Sequence, residues 1–248
     1  MKDINPGRLK KVPASATLLA LECSAGLASA AVMRQGEVLA MEEHAADHGH
    51  AAWLLTLARD ALASVGIDQR ELDAVLAGRG PGSFTGIRVA LAAAKGLALA
   101  LDIPGYGIGS LEALAAYAGD GKTSIAALGD TRRRSFFVAA FRPDGSSMGP
   151  IADLTSEAVV SHLAGAADNW IIIGHEAADM ASRLDKAGVS AFPSPKAEAH
   201  ASHLLRYFAE VTDFSSTALE LEPLYLAAPI LGPGGGTTGN SAGEAKAE

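Results

Sequence analysis

Chemistry needs polar or titratable groups held at fixed spacing, and several stretches of this 248-residue chain offer them. The densest is Gly78-Arg79-Gly80-Pro81-Gly82-Ser83-Phe84-Thr85-Gly86-Ile87-Arg88, set between two apolar runs. Glycines before a helix leave free backbone N–H groups that can hold an anion, so phosphate is the first chemistry to test. The known phosphate loops do not fit. A Walker loop needs a lysine after its last glycine, and none follows Gly82. A dinucleotide fingerprint begun at Gly80 needs glycine where Thr85 stands. Gly121-Lys122-Thr123 ends like a Walker loop, but Ala116 occupies the place of its first glycine. Ser83 suggests a nucleophile elbow, yet Pro-Gly-Ser-Phe-Thr is not Gly-x-Ser-x-Gly and no His/Asp pair accompanies it.

Other constellations carry less. His44, His48 and His50 have a spacing that would pair imidazoles on a helix, but the spacing predicts a loop there, with Asp47 as the nearest further ligand. Solvated or capping histidines are the commoner meaning, so no metal site is expected. His200 and His203 fall in an amphipathic segment where packing explains them. Arg132-Arg133-Arg134 is the dense basic run of the chain body; it could meet phosphate or RNA, or protect a hairpin edge from strand pairing. Leu21-Glu22-Cys23-Ser24 places an acid and a hydroxyl after a first strand, and Asp130 follows a later one. Actin-like ATPases and sugar kinases hold Mg²⁺ and phosphates at such turns. Glu22, Ser24 and Asp130 are therefore candidate cofactor residues, though neither a glycine–threonine pair nor a lysine accompanies Glu22.

The elements that position these groups can be read from periodicity. Leu18–Cys23, Ala28–Arg34 and Glu37–Glu42 read as strands of a meander, turning at Gly26 and at Arg34-Gln35-Gly36. From His50 to Val65, the residues His50, Trp53, Leu54, Leu57, Ala58, Ala61, Leu62 and Val65 share one face of a helix that Gly66 ends. Leu72–Ala77 is a buried strand, and Ile87–Leu101 is an apolar helix after the glycine loop. Ile103–Ile108 is a strand, and Ser110 is placed to cap a helix over Leu111–Ala118. After Gly119-Asp120-Gly121 the pattern restarts. Strands at 124–128, 136–141 and 170–173 alternate with helices at 156–163 and 177–187. A helix at 197–211 and an extended segment at 221–226 follow.

Three antiparallel strands followed by helix, strand, helix, strand is the order of a ribonuclease H-like lobe. The expected class is therefore α/β, an actin-like (ASKHA) fold with two lobes. The expected division is a flexible leader 1–16, a first lobe 17–118 carrying the glycine loop, a smaller second lobe 119–231, and a disordered tail 232–248. Deleting that tail should leave folding and assembly intact. The formal charge of −8 argues against nucleic-acid binding by the whole surface, and the single cysteine, Cys23, fits a reducing cytoplasm. Ala14–Val32 is apolar enough to imitate a membrane anchor, but Glu22 and Gly26 interrupt it, so a cytoplasmic protein without a membrane segment is expected.

The eleven residues from Gly78 to Arg88 resemble the signature of the TsaB (YeaZ) family. The likeness extends to Leu18–Ser24, to His50 with Leu54-Leu55, to Lys95-Gly96-Leu97-Ala98, Ile103-Pro104 and Gly109–Ala115. It continues to Asp130 with Arg132 and to Tyr225-Leu226. Glu22 stands where the family has aspartate, and Ala227 where it has arginine. The resemblance implies a protein with no catalysis and no cofactor of its own, a homodimer when alone. It further implies partnership with a catalytic TsaD-type subunit and a TsaE-type ATPase, which would bring the ATP and metal. That assembly installs N6-threonylcarbamoyl on adenosine 37 of tRNAs reading codons that begin with A, so tRNA is met only through the complex. The alternatives are an active actin-fold ATPase or small-metabolite kinase and, more remotely, a metallopeptidase-like protein.

Helical geometry locates a candidate interface. On the helix after the loop, Ala90, Ala93, Ala94, Leu97 and Leu101 should face the sheet, and Arg88, Leu91, Ala92, Lys95 and Leu99 should face outward. Leucines on a face that water would explain poorly suggest a partner helix. With His50, Trp53 and Leu54 of the preceding helix, those outward residues form the expected partner surface.

Overall fold

The computed structural model describes residues 15–45, 50–195, 198–210, 221–224 and 226, with residues 50 and 51 described by backbone only. The expected leader before 15, His48, Tyr225, Ala227 and the tail 232–248 lie outside the described residues.

The first sheet grows from its most apolar strand. β1 (Thr17–Glu22) is buried at every position, as a strand flanked on both sides and covered on both faces must be. β2 (Leu27–Arg34) pairs with it antiparallel, and β3 (Glu37–Ala45) pairs antiparallel with β2. Their hairpin turns on Gln35 and Gly36, both at positive φ as a two-residue turn requires. β4 (Ala74–Gly78) and β5 (Gly105–Ile108) join parallel on the other side, giving the order β3-β2-β1-β4-β5.

Helices cover both faces of this sheet. α1 (His50–Ser64) and α2 (Phe84–Leu101) bury Leu54, Leu57, Ala58, Ala61, Ile87, Ala90, Leu91 and Ala94 against Leu19, Leu21, Val32 and Val75. α3 (Ser110–Ala118) and α6 (Ala201–Glu210) close the opposite face, where Ala113, Ala201, Leu204, Leu205 and Phe208 meet Leu18, Ala20 and Leu76. By length and composition α2 could cross a bilayer, but its buried stripe is part of this core.

The second sheet repeats the plan. β6 (Ser124–Asp130), β7 (Phe136–Phe141) and β8 (Ala152–Leu154) are antiparallel, and β9 (Asn169–Gly174) and β10 (Ser190–Pro193) run parallel to β6. The order β10-β9-β6-β7-β8 matches the first sheet strand for strand. α4 (Ser156–Ala164) and α5 (Ala177–Lys186) cover one face around Trp170, whose indole N–H donates to Leu163 O and Ala167 O. The other face packs on Leu111, Leu114 and Ala115 of α3, so α3 serves as the wall between the lobes.

Several expectations change. The helix assigned to the 119–231 lobe, α6, docks on the first sheet, because its apolar stripe matches the bare face that α3 leaves there. Leu221 likewise packs on the first core, and Leu224 N–H donates to Arg79 O at 2.9 Å, so the segment after α6 also belongs to the first lobe. β3 runs on to Ala45, which takes His44 out of the expected loop. α2 starts at Phe84, three residues before the apolar run, because the Ser83 hydroxyl accepts from Gly86 N–H. β8 and β10 are short edge strands that periodicity did not reveal.

Candidate functional site

The glycine loop is built around one buried carboxyl. Glu22 ends β1 with no solvent exposure. Its Oε1 accepts Ser24 N–H at 2.6 Å, and its Oε2 accepts the Ser110 hydroxyl at 2.7 Å. Ser110 Oγ in turn accepts from Ser24 Oγ at 3.0 Å and from Gly80 N–H at 3.3 Å. Burial pushes the Glu22 carboxyl above the usual range, and the hydrogen bonds from Ser110 and Ser24 offset part of that. Ser110 was expected as a cap; it is instead the first residue of α3, and its hydroxyl is turned to the carboxyl.

Each glycine of the motif answers a neighbour. A Cβ on Gly78 would sit on the Glu22 carboxyl, one on Gly82 on Ser24 O, and one on Gly86 on Cys23 O. Gly80 takes φ +90°, and its Cβ would meet Ile87 Cδ1 at 2.5 Å. Ser83 N–H donates to Ser24 O at 2.7 Å, so the β1 turn and the loop are stitched together. Pro81 follows Gly80 through a cis peptide, and Arg79 N–H donates to Ile108 O. Phe84 lies under the Arg88 guanidinium, 3.6 Å from its ring centre. Thr85 is exposed. Burial and the Glu22 charge push the Cys23 thiol up to about 12, away from the thiolate that nucleophilic chemistry needs.

Between the lobes lies a cleft of about 140 Å³, lined by Ser24, Gly82 and Ser110 on one side and by Asp130, Arg132 and His175 on the other. It opens at the carboxyl ends of β1 and β6, where open α/β sheets hold ligands. Asp130 is exposed, and its Oδ1 accepts Arg132 N–H at 2.6 Å. The residues do not fit a nucleotide with its metal. Both oxygens of Glu22 are engaged internally, and among the described residues no lysine lines the cleft. The volume also falls below the roughly 300–1,000 Å³ of ordinary ligand pockets. Of the candidate cofactor residues, Ser24 and Asp130 come together here, and Glu22 does not. His175 was not singled out by any motif and Ser110 was read only as a cap; their places just past the ends of strands β9 and β5 were the available signal.

The histidines separate. His44 stacks on Trp53 with ring centres 4.7 Å apart, and the His203 ring accepts His200 N–H at 3.2 Å, closing the start of α6. Among the described residues no three His, Cys, Asp or Glu side chains gather as a metal site.

The α1–α2 surface is partly as expected. Trp53 is 47% exposed, Leu99 81%, and Arg88, Ala92 and Lys95 also face outward. Leu54 and Leu91 do not, because both point into the core between the two helices. They are therefore absent from the outward face, on which Leu55 is 55% exposed. The His50 side chain lies outside the described residues. Beside this face runs a groove of about 390 Å³ lined by Leu55, Arg59, Leu62, Ile67, Gln69 and Leu97 among others.

Two sheets of identical strand order, helices on their faces and a cleft at the strand ends define a two-lobed actin-like α/β protein. The family described as TsaD: tRNA N6-adenosine threonylcarbamoyltransferase matches residues 42–215. The chain is 40% identical over 99 residues to the tRNA threonylcarbamoyladenosine biosynthesis protein TsaB of Haemophilus influenzae, covering 40% of this chain and 42% of that one. It is 29% identical over 163 residues to the protein of the same name in Escherichia coli, covering 63% and 70%. A crystal structure of a Pseudomonas aeruginosa protein with similarity to peptidase YEAZ superposes with a TM-score of 0.67 at 30% identity, covering 86% of this chain and 100% of that one. The chain belongs to the TsaB (YeaZ) family.

Proposed function

We propose that this protein takes part in tRNA threonylcarbamoyladenosine biosynthesis as a non-catalytic subunit that binds and activates a TsaD-type transferase, together with a TsaE-type ATPase. The observation that carries the reading is the outward surface of α1 and α2, where Leu55 of α1 and Leu99 of α2 stand exposed and the small Ala92 lies on the same side of α2 as Leu99. A helix pair that shows leucines to water and a small residue at its centre is suited to close approach by another helix. The inward-turned Glu22 supports the absence of nucleotide chemistry, since the acid that would hold a metal is already satisfied by Ser24 and Ser110. The same helix face would join two copies when the partner is missing, and tRNA is met through the assembled complex in the cytoplasm.

Ala92→Glu tests the reading. Because Ala92 is exposed, the variant should melt like the wild type. It should fail to co-elute with the TsaD-type subunit of its own organism, because a charge would be buried unpaired at the contact. Normal co-elution would place the interface elsewhere. ATP hydrolysis by the isolated protein that vanishes in Glu22→Ala or Asp130→Ala would favour an ATPase or kinase instead.

A further inference from the structure

The turn between β6 and β7 carries Arg132, Arg133 and Arg134 in succession, and all three are exposed. It is not at a sheet edge. The order β10-β9-β6-β7-β8 makes β6 and β7 interior strands, so charges there do not serve to deter strand pairing. The turn is also firmly built. Asp130 Oδ1 accepts Arg132 N–H, Thr131 Oγ1 accepts Arg133 N–H at 3.1 Å, and the Thr131 hydroxyl donates to Ser135 O at 2.9 Å. Within it Arg132 and Arg134 hold left-handed backbone, with φ of +59° and +63°. Glycine or asparagine takes that conformation with less strain, so what arginine supplies there is its guanidinium. Among the described residues neither Arg132 nor Arg134 has a carboxylate within ion-pair distance.

A firmly bonded turn that exposes three successive arginines, with Arg132 at the rim of the cleft, on a chain of net charge −8 is matched to closely spaced anions. A nucleic-acid strand presents one phosphate for about every 3.4 Å of helix axis, and guanidinium binds phosphate bidentately. We propose that the Arg132–Arg134 turn contacts the phosphate backbone of RNA, namely the tRNA handled by the assembled complex. The inference rests on the role in tRNA modification proposed above.

The double variant Arg132→Gly/Arg134→Gly tests it without endangering the fold, because glycine adopts both left-handed positions freely. Labelled tRNA is titrated at several salt concentrations into the complex of the full chain with its TsaD-type subunit, after size exclusion has shown that the complex is present. Two lost phosphate contacts should lower the slope of log affinity against log salt by roughly 1.5 and weaken binding by about tenfold at moderate salt. Arg132→Lys/Arg134→Lys should keep most of the slope. An unchanged slope and affinity in an intact complex overturns the inference. Loss of assembly in the glycine variant alone makes the turn a protein contact and overturns it too. If the wild type forms no complex, the proposed function fails instead. The turn is then read on the full chain alone at low salt, where equal tRNA retardation by wild type and variant overturns the inference.

Discussion

Glu22 and Asp130 occupy the same place in the two lobes, at the carboxyl end of the first strand of each sheet, and their surroundings are opposite. Glu22 has no exposure and is held from two directions, by the β1 turn and by α3. Asp130 stands in solvent and pins only the turn that follows it. The loops beside them differ accordingly. At the end of β4, Gly78 clears room for the carboxyl, and Ser83 then caps a long helix. At the end of β9, Gly174 clears room for the backbone oxygen of Leu128, and α5 follows an N-cap residue, Glu176, that makes no side-chain cap. A duplicated topology therefore does not duplicate chemistry. In the first lobe the strand-end acid has become part of the framework, whereas in the second it remains a surface group.

The largest effect that would sharpen this contrast is expected at Gly86, whose Cβ would fall on the Cys23 carbonyl oxygen. Backbone cannot yield as a side chain can, so Gly86→Ala should cost roughly 3 kcal/mol or more. At Gly129 in the second lobe the nearest atoms, in Leu111 and Phe137, are 3.5 Å from the added carbon, so Gly129→Ala should be nearly neutral. Similar urea midpoints for these two variants would break the contrast.

A cycle at Gly78 and Glu22 comes next. Gly78→Ala should lose roughly 1–3 kcal/mol through its clash with the carboxyl. Glu22→Ala should lose a similar amount by stranding Ser24 N–H and the Ser110 hydroxyl. Because the alanine methyl at 78 enters the space the carboxyl vacates, the double variant should lose less than the sum by roughly 0.5–3 kcal/mol. Strict additivity would show that the carboxyl and the glycine do not share that space.

A smaller effect is expected in pH dependence. The folded-state pKa of Glu22 lies above its ordinary value of 4.5, so the folded protein binds this proton more tightly than the unfolded chain does. Stability should fall as pH rises from about 4.5 through the folded pKa and then level off. Glu22→Gln should flatten that part of the profile, and melting curves across the acid range would show it; a profile parallel to wild type would mean that Glu22 titrates normally. The smallest effect belongs to Asp130→Asn. The amide oxygen can still accept Arg132 N–H, so stability should stay within roughly 0.5 kcal/mol, as urea midpoints would show.

The order of the first-lobe elements was legible because each long element carries one clear period and the glycine loop breaks the chain sharply. Leu91 was misplaced because it lies at the border between the sheet-facing and outward arcs of α2, and α1 extends the core far enough to cover it. The short strands β8 and β10 hold three and four residues, too few for alternation to register. The amphipathic pattern of α6 announced a buried face without saying which core would receive it, since that depends on the face α3 leaves open. At the site, the motif located the loop and Glu22, while the direction of the carboxyl depended on Ser110, far away in sequence. A hydroxyl at the start of a helix reads as a cap until the buried acid that claims it is known.

The docking of α6 on the first sheet also sets a timetable for synthesis. Ribosomes deliver the whole second sheet before α6, so the lobe that is begun first is completed last. Leu18, Ala20 and Leu76 must wait for Leu204, Leu205 and Phe208 with part of their cover missing. At about 5–20 residues per second, the roughly one hundred residues from Ile108 to Phe208 take about 5–20 s to emerge. During that interval the nascent first lobe shows an apolar sheet face to the cell, and it is there, rather than on the later-made second lobe, that a chaperone would find its hold.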